Sequence, residues 1–217
     1  MQGVVTLSAS YGAHGARVGR ALAERLQLPF IDRAIPTTAA ARQLGLPEES
    51  LDEDPPSRWQ RIAAGFANLG VPVGPIVLPA DIPLTPEQFR SATDTQLRHV
   101  ADTTGAVVLG RAGMIVLRGR PDVLCVRLDG PVEARIAQVV AQGLDEASAR
   151  QGQREVDSAR EAYARVFFNV RQDDPRLYHV ILDSTVLSAE ACIDIIVRAA
   201  QDRFGASRPR NPGSPPG

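Results

Sequence analysis

Two rhythms of apolar and polar positions alternate along this chain. Short runs such as VVTL at residues 4–7, AVVL at 106–109 and VLCVRL at 123–128 are apolar almost throughout. Such runs are the mark of strands buried on both faces. The stretches between them repeat their apolar positions at helical spacing. Val18, Ala21, Leu22 and Leu26 fall at i, i+3, i+4 and i+8, so a helix follows the first strand directly. LPFIDR at 28–33 reads as a short buried strand ending in Asp32, and the alanine-rich residues 34–45 as a helix stopped by Gly45 and Pro47. Residues 58–69 can form an amphipathic helix carrying Trp59, Ile62, Phe66 and Leu69. The acidic, proline-broken EESLDEDPPSR at 48–58 is a loop, and 70–84 hold no regular element, which suits a mobile flap or a loop folded over a ligand.

The second half is more sharply punctuated. Thr85 as N-cap, Pro86 at N1 and Gln88 closing a capping box predict a helix to about Thr104, released at Gly105 into a strand. A short turn or helix over 112–118 precedes the next strand, and Pro131 at N1 with Glu133 starts a helix through Gln142. Residues 145–168 are charged and helical, and YHVILD at 178–183 is the last strand. Ser188 caps a final helix carrying Cys192, Ile195, Ile196 and Ala199, and a disordered tail is expected from Gly205. Strands alternating with helices in this way predict a single α/β domain over 1–204, a parallel sheet covered by helices on both faces. Its ligand is expected beyond the carboxyl ends of the strands, where Ser8–Gly15, Asp32, Gly110–Arg111 and Asp183 gather.

Charge narrows the picture further. All 24 basic residues are arginine, against 25 acidic ones, for a net charge of −1. That balance gives no support for nucleic acid or an anionic membrane as partner. With no lysine, Schiff-base chemistry is excluded and any phosphate clamp must be built from guanidinium groups, which grip phosphate bidentately. Cys125 and Cys192 read as small buried hydrophobes of a reducing compartment, and His14, His99 and His179 are too scattered for a metal site. No leader-like or membrane-spanning run occurs in the sequence, so a cytoplasmic protein is expected.

The turn from the first strand into the first helix carries the clearest chemistry. Ser10, Gly12, Ala13, His14, Gly15, Ala16 and Arg17 place backbone amides at a helix N-terminus, a setting that attracts phosphate. Compared with the G-x-x-x-x-G-K-[ST] phosphate loop, it lacks the lysine. Asp157 and Arg160 fall at i and i+3 on one helical face, a turn from Arg154 and Tyr163.

Several segments together resemble one family. SASYGAHGARVGRALAERL, LPFIDR, VVLGRAGMIVLRGRPDVLCVRLDGPVEAR, DSAREAY and LDSTVLSAE are similar to the cytidylate kinase-like branch of the nucleoside monophosphate kinases, from the first strand to about Phe204 but not over 47–85. The resemblance implies a P-loop kinase-type fold with a helical lid over 145–170 and an acceptor-binding region over 34–100. It implies transfer of the ATP γ-phosphoryl group, with Mg²⁺, to CMP or a related nucleotide, by a protein expected to be a monomer. Gly15 falls where the loop lysine would stand, with Ala16 and Arg17 after it; Arg17 could supply the charge. Arg111 matches the Gly-Arg that grips the acceptor, although Ala112 replaces the aspartate that follows it in the family. Asp157 and Arg160 match the family's D-x-x-R at the acceptor, with Arg154 and Tyr163 beside them, and Asp32 closes the second strand near the same site. Arg17, Arg111 and Arg160 are the candidate catalytic residues. The missing lysine and the Ala112 replacement leave open a non-catalytic nucleotide-binding protein, and the unmatched 47–85 leaves open a kinase for another small acceptor.

Overall fold

Val4–Ala9 (β1) is buried along its whole length because it lies in the middle of the sheet. The computed structural model describes residues 3–31 and 86–206. Five strands, β1, Phe30–Ile31 (β2), Ala106–Leu109 (β3), Val123–Asp129 (β4) and Val180–Asp183 (β5), form one sheet in the order β2-β3-β1-β4-β5, and every pairing is parallel. Thr6 of β1 sits opposite Val108 on one side and Cys125 on the other, so the β-branched and small side chains of the three central strands interleave.

Parallel strands need crossover helices, and these cover both faces. On one face Gly15–Leu26 (α1) and Ala189–Ala206 (α6) bury Val18, Leu22, Ile193 and Ile196 against Leu7, Val126 and Leu128. On the other, Pro86–Thr103 (α2) and the short Gly113–Val116 (α3) bury Leu97, Ala101 and Met114 against Val4, Val108 and Cys125. Val132–Val140 (α4) and the long Glu146–Phe168 (α5) pack on each other, and α5 also touches α2. Asp145 accepts from the Ser148 amide at 2.9 Å and so fixes the start of α5.

Several boundaries differ from expectation, each for a local reason. The second strand is only Phe30–Ile31 within the described residues, because Leu28 donates back to Ala23 O and closes α1. Pro131 is the N-cap of α4 rather than its first helical residue. Tyr178 ends a turn of 3₁₀ helix, Pro175–Leu177, so β5 starts only at Val180. The buried stripe of α6 runs through Cys192, Ile193, Ile196, Ala200 and Phe204, while Ile195 is 40% exposed. That helix continues to Ala206, past Gly205. Both cysteines are buried and free. The helices expected at 34–45 and 58–69, the loops between 47 and 84, Asp32, Thr85 and residues 207–217 lie outside the described residues. No helix among the described residues is long and apolar enough to cross a membrane.

Candidate active site

β1 ends in the turn that sequence singles out, and its main chain is held from three directions. Ser10 N donates to Leu128 O, and Ala13 N folds back on Ser10 O, both at 3.1 Å. Gly12 has φ +76°, and a Cβ there would stand 2.4 Å from Arg135 O. Only glycine tolerates both the conformation and the approach. His14, at φ 58°, is the N-cap of α1 and contributes no side-chain cap, and no acidic residue occupies the first turn. The leading N–H groups of α1, at Gly15, Ala16 and Arg17, have no acceptor within the helix. They form a positive helix end beside a buried loop. Burial, and then the neighbouring Arg17, hold His14 below its ordinary pKa, so its imidazole is neutral at pH 7.

Two arginines support this turn from the β4 side. Arg127 points its guanidinium to the sheet edge: Nε and Nη2 donate to Asp129 Oδ2 at 2.9 and 2.7 Å, and Nη2 also to Ser10 Oγ at 3.1 Å. Burial raises the pKa of Asp129, but the Arg127 guanidinium outweighs it and holds the carboxyl below its usual range. Arg135 has a side chain only 5% exposed. Its Nε donates to Gly130 O at 2.9 Å, and its Nη1 to Tyr11 O at 2.7 Å and Asp157 Oδ2 at 2.9 Å.

Helix α5 closes the site from above. Asp157 Oδ1 accepts the Tyr11 N–H at 2.8 Å, and Arg160 Nη1 donates to Ala9 O at 2.6 Å. Gln172, just beyond the helix, donates to Ser8 Oγ at 2.8 Å. Ser10, Arg127, Arg135, Asp157, Arg160 and Gln172, with Asp129, Glu161 and Asp173, line a cavity of about 130 Å³. That volume suits a phosphate group and is well short of a whole nucleotide.

The structure thus brings Ser10, Asp157 and Arg160 together at one cavity, with Gly12, Ala13, His14, Gly15 and Ala16 in the adjoining turn. Arg111 stands apart, past β3, where Nη1 donates to Gln96 Oε1 of α2 at 2.8 Å. Gly110, Arg111 and Ala112 have φ of 73, 54 and 52°, three successive left-handed residues. Two non-glycine residues in that region hold stored strain at a strand end. Arg17 and Arg154 are exposed and do not line the cavity. Tyr163 packs edge-on against Phe168 at 5.9 Å. Arg127 and Arg135 carry no role in the sequence reading. A lone charge inside the apolar run VLCVRL was a signal for Arg127, whereas nothing in VEARIAQVV distinguishes an inward-facing Arg135 from a solvated one.

The sequence matches the cytidylate kinase-like family over residues 4–186. The chain belongs to that family. Among curated proteins none matches it. Among solved structures, an uncharacterised protein from Eubacterium ventriosum shares 18% identity, with a TM-score of 0.59 over 95% of this chain and 100% of that one. A gluconokinase from Sinorhizobium meliloti shares 17% identity, with a TM-score of 0.48 over 95% of this chain and 98% of its own. Shikimate kinase from Acinetobacter baumannii shares 15% identity, with a TM-score of 0.45, covering 96% of this chain and 97% of its own. This family member therefore has the α/β fold of the P-loop kinases.

Proposed function

We propose that the protein transfers the ATP γ-phosphoryl group to a nucleoside monophosphate, with CMP as the first candidate. The observation that carries this reading is the convergence of Arg160, from the lid helix, and of the buried Arg127 and Arg135 on the turn that opens α1. Phosphoryl transfer asks a protein chiefly to align donor and acceptor and to neutralise developing charge. The leading amides of α1, at Gly15, Ala16 and Arg17, would hold the donor phosphates, and the Arg17 side chain could swing in from the same turn. Mg²⁺ supplies charge neutralisation between phosphate oxygens when it arrives with the nucleotide. Among the described residues no carboxylate cluster stands ready for the ion, since Asp129, beside Ser10, is taken up by Arg127. Arg111, Arg154, Asp157, Arg160 and Tyr163, with Asp32, are proposed to address the acceptor, and the lid would exclude water during transfer.

The test is release of ADP from Mg-ATP with CMP, dCMP, UMP or AMP present, beside calorimetry of Mg-ATP alone. We expect turnover with one of these acceptors, and a fall on the order of 10³ in kcat for Arg160→Ala. The carboxylate of Asp157 on the Tyr11 amide, together with the absence of lysine from the chain, favours a second reading, a nucleotide-binding protein without catalysis. Mg-ATP binding with no turnover of any acceptor would establish that second reading.

A further inference from the structure

Asp157 has a more specific role than acceptor contact in the ligand-free molecule. Its two carboxylate oxygens take the Tyr11 N–H at 2.8 Å, Arg135 Nη1 at 2.9 Å and Gln153 Nε2 at 3.1 Å. A main-chain amide of the turn and a guanidinium fixed from below are the donors that a phosphoryl oxygen would use. Arg135 is anchored independently, by the carbonyls of Gly130 and Tyr11, so it keeps its place when Asp157 leaves. The lid helix lies close over the turn at one further point. A Cβ on Gly152 would stand 2.9 Å from Tyr11 Oη and 3.1 Å from its Cζ.

We infer that the Asp157 carboxylate occupies the seat of a ligand oxyanion: a phosphoryl oxygen displaces it from Tyr11 N–H and Arg135 Nη1, which frees Asp157 to turn toward the acceptor. This rests on the reading of the turn as a phosphate site. Together with Asp129, whose Oδ1 lies 3.6 Å from Arg135 Nε, the internal anion balances the buried guanidinium while no ligand is bound, and it competes with every ligand that arrives.

Titration of the full chain with pyrophosphate and with Mg-ATP, comparing wild type with Asp157→Asn and Asp157→Ala, tests the inference. The asparagine removes the competing charge and keeps the shape, and the alanine vacates the seat altogether. Pyrophosphate should bind both variants about tenfold more tightly than wild type. The Tyr11 amide should exchange with solvent faster in Asp157→Asn, and pyrophosphate should restore its protection. If neither variant folds, the wild-type chain decides: saturating pyrophosphate should shift the Asp157 carboxyl carbon resonance, and an unmoved resonance overturns the latch. Wild-type binding of Mg-ATP with no tightening of pyrophosphate in the folded variants overturns the latch and leaves the phosphate site standing. Failure of wild type and variants alike to bind either probe overturns the phosphate site, and the latch with it.

Discussion

Arg127 and Arg135 are the residues on which the site rests, and both are charged groups largely withdrawn from water. Such burial is tolerable only where every donor finds an acceptor. Arg135 meets three groups from three different segments, the carbonyls of Gly130 and Tyr11 and the carboxylate of Asp157. Arg135→Met should therefore cost about 3 kcal/mol, because it strands two carbonyls and a carboxylate. Urea denaturation followed by circular dichroism reads that loss, and a midpoint within error of wild type would refute it. His179 makes a smaller, pH-dependent contribution. Its Nδ1 accepts the Cys125 N–H at 2.9 Å, which needs the neutral ring. Burial, and then the nearby Arg203 and Arg118, lower its pKa from the ordinary 6.5. Between the lowered folded value and 6.5 the unfolded chain binds more protons than the native one. Stability from this bond is thus complete above pH 6.5 and declines as pH falls below it. Thermal melts from pH 7.5 to 5 should show that decline, and His179→Gln should flatten it.

At the scale of elements, the turn into α1 is where local geometry meets the proposed phosphate site. Its shape depends on Gly12, whose backbone a side chain would drive into the Arg135 carbonyl. Gly12→Ala should cost more than about 1 kcal/mol and weaken pyrophosphate binding, since the loop must shift to admit the methyl group. Differential scanning calorimetry and titration on the same sample test both halves. The α6 stripe offers a contrast with no bearing on ligand. Ile196 is fully buried against α1 and the sheet, and Ile196→Ala should cost about 2–5 kcal/mol by leaving a cavity. The tie between α4 and α5 through Arg150, Glu133 and Glu146 is exposed. Arg150→Ala should change stability by less than about 1 kcal/mol, which the same melts would detect.

Across the whole molecule, strand order decides what the site contains. Because β1 lies between β3 and β4, its carboxyl end faces Arg111 on one side and Arg127 on the other. The chain returns over that edge through α5, whose 23 residues carry Asp157 and Arg160 back to the start of the sequence. The contacts Asp157–Tyr11 and Arg160–Ala9 span 146 and 151 residues. They are the long-range contacts that hold the helix over the sheet edge rather than out in solvent.

How far the chain could be read in advance follows from the range of the forces involved. Apolar periodicity, capping residues and charged helical stretches are local properties, and they were enough to place β1, α1, α2, β3, β4 and α5 and to predict a parallel sheet with a ligand at its carboxyl edge. That Ser10, Asp157 and Arg160 belong to one candidate site was suggested by short spacing and the family resemblance, and the fold does bring them to one cavity. The capture of Leu28 by the end of α1 and the rotation of the α6 stripe away from Ile195 were not legible. They depend on which neighbour reaches a surface first. Charge was the least legible property. A guanidinium in a sequence looks alike whether it faces water, like Arg17 and Arg154, or lies buried, like Arg135. Only the tertiary structure distinguishes them, since burial and partnership are set by segments far apart in the chain. The sequence by itself determined a lysine-free turn built of backbone amides and a sheet to carry it. The fold alone decided which arginines stand beneath that turn, and that a carboxylate of the chain's own rests on its first amide.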